Sequence, residues 1–149
     1  MATLSSLTPP SNVTTATNTQ TMSNKTLTSP TVNSATLNTP TVTGYTESLA
    51  AIGTVTTAYT LVITSGTVLT ATLTASTACT FTMPTATAGK SFMLILTQAA
   101  GGSGTATFTG VKWPAGVAPT VTATASAVDI FSFVANGTSW FGNYQQAFA

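Results

Sequence analysis

The chain has 149 residues, 43% of them hydrophobic but only 3% charged, and a formal net charge of +1. Its five charges (Lys25, Lys90, Lys112, Glu47 and Asp129) lie far apart in sequence, with no Arg and no His. That excludes the basic clusters that bind nucleic acid by counterion release or hold a protein on a polyanionic membrane.

Residues 1–20 are polar, carry Pro9-Pro10 and are rich in Thr, Ser and Asn. They read as an extended arm ordered only against a partner surface. From Thr21 a five-residue repeat runs through Tyr45: TMSNK, TLTSP, TVNSA, TLNTP, TVTGY. Each unit opens with Thr and then an apolar residue, giving Met22, Leu27, Val32, Leu37 and Val42. Joined in pairs, the units match better still, with Pro30 above Pro40. A period of five is not helical, and the two prolines remove backbone donors. One apolar residue in five is too thin a stripe for a core within one chain. Three copies around an axis could bury it, so these five residues are the candidate trimer and arm packing positions. A pentapeptide-repeat solenoid is set aside, because Lys25 stands where that fold needs a small residue before Leu27.

Glu47 to Gly53 (ESLAAIG) is the only stretch suited to a short helical turn, and it joins the arm to the globular part. From about Thr54 the pattern is strands and turns. Tyr59, Leu61 and Ile63 alternate with polar or smaller residues, as do Leu69, Ala71 and Leu73, and then Cys79, Phe81 and Met83. Such strands are apolar on one face and threonine on the other. Phe92–Leu96 is apolar on both faces and should be central, and Val128, Ile130, Phe131, Phe133 and Val134 form a second strand apolar on both faces. Gly101-Gly102-Ser103-Gly104 reads as a hairpin loop, Trp113-Pro114-Ala115-Gly116 as a break, and Asn136-Gly137 as a hairpin turn before a last strand, Ser139–Tyr144. The expectation is all-β: an extended arm over residues 1–50 and an antiparallel, jelly-roll-like β-sandwich knob over 51–149, assembled as a homotrimer.

Chemistry is poorly supplied. Nucleophilic triads need a histidine, and there is none. Cys79 alternates in phase with Phe81 and Met83 and reads as a buried, inert thiol. A glycosidase-type carboxyl pair would have to be Glu47 and Asp129, which lie in different regions. Asp129, beside Val128 and Ile130, reads instead as a hydrogen-bonded strand or interface residue. One Cys and two carboxylates make no metal-ligand set, and no motif cradles phosphate. No catalytic, metal or cofactor residues are therefore expected. The aromatics Trp113, Trp140, Phe141 and Tyr144 are candidates for stacking on a host glycan or, with the better claim, for filling the core or a subunit interface. The longest strongly apolar run, Phe92–Leu96, is too short to span a bilayer, and residues 1–6 lack a basic and a hydrophobic signal region. Synthesis in a cytoplasm is the resulting expectation.

The stretch TQTMSNKTLTSPTVNSATLNTPTV resembles the NKTLTSPT segments of tail-fibre and other structural proteins of tailed bacteriophages. The stretch from Phe92 to Ala149 resembles the small β-module that closes many such proteins. There a strand ending Leu-Thr-Gln precedes a Trp-Pro element, a Pro-Thr-Val-Thr segment, an Asp-Ile-Phe strand and a final Trp-aromatic-Gly. The resemblance implies a trimeric virion protein with no catalytic site. A short arm and one knob, without a tail-attachment domain or long shaft, suit a capsid decoration (cement) protein on the outer shell, partnered by the major capsid protein. The alternative is a short tail fibre or tailspike tip that contacts tail proteins or host surface polysaccharide.

Overall fold

The structure is a computed structural model that describes Thr26, residues 28–33 and residues 35–148. Met22 and Leu27 lie outside the described residues. The chain divides into two units at Thr41/Val42, and the first strand begins later, at Leu49.

In the first unit the ten-residue repeat is visible in the backbone. Ser29 and Thr39, ten residues apart and each followed by proline, have φ of 50° and 51°. Between these left-handed bends, residues 31–33 and 35–37 carry no helix, strand or turn.

The second unit is all-β: β1 (Leu49–Val55), β2 (Ala58–Thr60), β3 (Val68–Leu73), β4 (Ala78–Thr82), β5 (Ser91–Thr97), β6 (Thr105–Thr109), β7 (Val111–Lys112), β8 (Val128–Ala135) and β9 (Trp140–Phe148). Its one helical feature among the described residues is a 3₁₀ turn at Pro114–Gly116. The ESLAAIG stretch is not a helical turn, because Leu49–Gly53 are part of β1.

The strands lie in two sheets, ordered β1-β3-β5-β8-β9-β7 and β2-β4-β6. Consecutive strands from β1 to β6 alternate between the sheets, so each chain neighbour crosses over rather than pairing. Each strand then pairs in parallel with the one two places on: β1 with β3, β3 with β5, β2 with β4, and β4 with β6. This is the winding of a β-solenoid, and it replaces the expected antiparallel, jelly-roll pairing. Period-two alternation reports which face of a strand is buried, not which strand lies beside it. Antiparallel pairing is confined to β8, which pairs with β5 on one side and β9 on the other.

The core fills the space between the sheets. One inward row crosses the larger sheet through Ala50, Leu69, Leu94, Phe131 and Tyr144. Tyr59, Phe81 and Phe108 face it from the smaller sheet, with the Phe81 and Phe108 rings stacked 5.2 Å apart. The outward face of the smaller sheet is a threonine ladder, with Thr80 beside Thr107 and Thr82 beside Thr109. Threonine there satisfies its hydroxyl locally, as in the 3.3 Å bond from Thr107 to Thr80, and its branched side chain suits the pleat.

Two polar groups hold the ends of these strands. Gln98, 3% exposed, follows β5 at the corner where the chain crosses to β6. Its Nε2 donates to the carbonyls of Gly104 (2.9 Å) and Thr122 (2.8 Å), and its Oε1 accepts from the N–H of Gly104 and Ala99. Gly104 packs so closely that a Cβ there would lie 2.8 Å from that oxygen. The Gly101–Gly104 segment is thus a tight corner between sheets, not a hairpin loop. The Asn136-Gly137 turn does join β8 to β9: Asn136 Oδ1 accepts from Thr138 and Ser139 N–H, and Gly137 takes φ 98°.

Candidate functional site

The expected chemistry-bearing residues have structural partners. Asp129 is 3% exposed on the inward face of β8. Its Oδ1 accepts from Thr122 Oγ1 (2.7 Å) and Ala147 N–H (3.0 Å), and its Oδ2 from Thr122 N–H (2.7 Å) and Gln146 Nε2 (3.3 Å). Four donors occupy the carboxyl group. Glu47 accepts from the Thr67 hydroxyl and shares no partner with Asp129. No three His, Cys, Asp or Glu residues come together among the described residues. Cys79 is buried beneath the sheets, and burial raises its thiol pKa above the ordinary value, which disfavours the thiolate.

The two tryptophans are core residues. Trp140 is 2% exposed, with its indole N–H donated to the Pro84 carbonyl at 2.7 Å and its ring edge-on to Phe92. Trp113, 9% exposed, lies against Gly142, where a Cβ would fall 2.5 Å from the indole. Its ring also meets Phe108, Phe131, Phe133 and Tyr144 edge-on. Buried in this way, Trp113 and Trp140 offer no ring face for a sugar. Tyr144 is half-buried in the same cluster. Phe141, pointing outward, is 40% exposed with the Lys112 ammonium 5.8 Å from its ring centre.

The surface the structure leaves uncovered includes several large apolar side chains. Of the repeat positions, Val32, Leu37 and Val42 are 60%, 66% and 58% exposed. On the outer face of the larger sheet, Leu49, Met93, Val134 and Phe141 are exposed, and Val68, Ile95 and Ile130 are half-buried. Only one face of β5 and β8 is fully covered within the chain, although both faces are apolar in sequence. A shallow depression lined by Glu47, Thr67, Met93 and Ser132 opens on this outer face. It brings together no catalytic grouping. The candidate site is therefore this exposed apolar surface.

Comparisons of the chain with protein-family models, with curated proteins and with solved structures return no match. No helix among the described residues is long and apolar enough to cross a membrane.

Proposed function

We propose that this protein is a non-enzymatic structural component of a tailed-phage virion. In this reading it is a homotrimeric decoration protein whose knob sits on the outer shell and whose arm ties capsid subunits together. The observation that carries the reading is the exposure of Val32, Leu37 and Val42 within a single chain. A regular apolar stripe exposed to water is stabilised only by burial against other subunits. The near absence of charge supports the same conclusion, since the cores of subunit interfaces are depleted of charged residues. The link to phage comes from the NKTLTSPT resemblance. Stabilisation would come from linkage: a protein that binds only the assembled lattice lowers its free energy relative to separated subunits, and three arms per trimer add avidity.

A receptor-binding tip for host polysaccharide ranks second. Its two strongest stacking candidates, Trp113 and Trp140, are core residues, which leaves Phe141 beside Lys112 as the remaining exposed aromatic of that group. Quantitative mass spectrometry of purified virions tests the choice. Hundreds of copies per particle are expected, and loss of the protein should lower the temperature at which the shell releases its genome. A few to tens of copies, confined to the tail, would refute the decoration role.

A further inference from the structure

The first coil of the solenoid is not closed. In the second coil, the inward residues Leu69, Leu73, Cys79 and Phe81 are almost fully buried. One coil earlier Val55 and Leu61 are covered, but Ala50, Ile52 and Tyr59 are only half-buried. Among the described residues, β1 is paired only by β3 and β2 only by β4. In the larger sheet the other end of the parallel run, at β5, is covered by the β8–β9 hairpin. Stacked-coil proteins need a cap at each end, and unpaired strand edges are normally blunted by Lys or Pro. The β1 sequence, LAAIGTV, contains neither; its one irregularity is a bulge between Ala51 and Gly53.

We propose that the β1 edge is a strand-addition site whose occupant is the repeat segment 31–37 of a second copy of this chain. The segment lies between the left-handed bends at Ser29 and Thr39, spans seven residues as β1 does, and contains no proline and no charge. Val32 and Leu37 are exposed in the isolated chain and five positions apart, so a strand through them places them on opposite faces. One then covers the half-buried Ala50 and Ile52, and the other extends the outer row begun by Leu49. A chain's own segment is the less suitable occupant. The offset from Leu49 to Val68, counted back from Leu49, does reach Pro30. Residues 38–45 would then have to supply a strand for the smaller sheet, and that stretch contains left-handed Thr39, Pro40 and left-handed Gly44. Three such exchanges around an axis close a ring and leave no free β1 edge.

This inference rests on the homotrimer reading, and the test separates the two. Full-length Leu37→Cys and Ala51→Cys variants are co-expressed and treated with a short bismaleimide, with buried Cys79 silent. The expected result is a covalent dimer that needs both variants, a covalent trimer from the Leu37→Cys/Ala51→Cys double variant, and loss of both when Thr36→Pro is added. A protein that sediments as a trimer yet gives no cross-link, or that cross-links only within one chain, would overturn the strand exchange while leaving the trimer standing. A protein that stays monomeric at all concentrations would overturn both.

Discussion

Asp129 shows how a sparse set of polar residues is used. Its four accepted hydrogen bonds join β8 to the Thr122 segment and to the end of β9, so a residue type associated with catalysis serves as a clamp. An Asp129→Asn substitution keeps the shape but aims an NH₂ group at donors on one side. The expected cost is about 1–3 kcal/mol, the range for a buried polar group left unpaired, read as a lower urea midpoint with an unchanged slope. The role was partly legible in sequence, because an acidic residue between Val128 and Ile130 must find hydrogen bonds if it is buried. Its donors were not, since Thr122 and Ala147 come from segments whose approach depends on the whole sheet. The same holds for Trp113: nothing in the sequence marks Gly142 as the flat surface its indole needs.

At the scale of elements, the strands themselves were readable and their neighbours were not. Alternation placed Leu69, Ala71, Leu73, Cys79 and Phe81 inside, and all five are buried. It could not separate a hairpin from a crossover, because both present the same faces. Glycine was ambiguous for the same reason. Asn136-Gly137 is a hairpin turn, whereas Gly101–Gly104 is a corner between sheets held by Gln98. The ESLAAIG stretch has good helix formers, but pairing with β3 outweighs that weak preference. Gln98 is the residue on which the corner depends. Gln98→Ala strands the Gly104 N–H and two carbonyls in a buried site, for an expected loss of about 2–4 kcal/mol. Hydrogen exchange should show the loosening at Gly104 and Thr105 first; unchanged protection there would contradict the assignment.

Across the whole molecule, five charges in 149 residues leave little for salt to screen. The melting temperature and the oligomeric state should both hold nearly constant between low salt and about 1 M sodium chloride. A midpoint shift of more than a few degrees, measured by calorimetry, would show that the protein's stability depends on ion pairs after all. Burial of apolar surface is the alternative source of cohesion, and the larger sheet displays that surface outward through Met93, Val134 and Phe141.

The hairpin β8–β9, placed after the coils it covers, has a consequence for synthesis. Translation releases β1 to β6 from the ribosome before the strands that shield β5 emerge. A nascent chain then passes through an interval in which the β5 edge and the inward row at Phe92 and Leu94 lack their neighbours Phe133 and Phe131. Aggregation is favoured during that interval, when an apolar strand edge is open to other nascent chains. Any delay between the emergence of β5 and that of β8 would lengthen it, so the yield of folded protein depends on how quickly β8 follows.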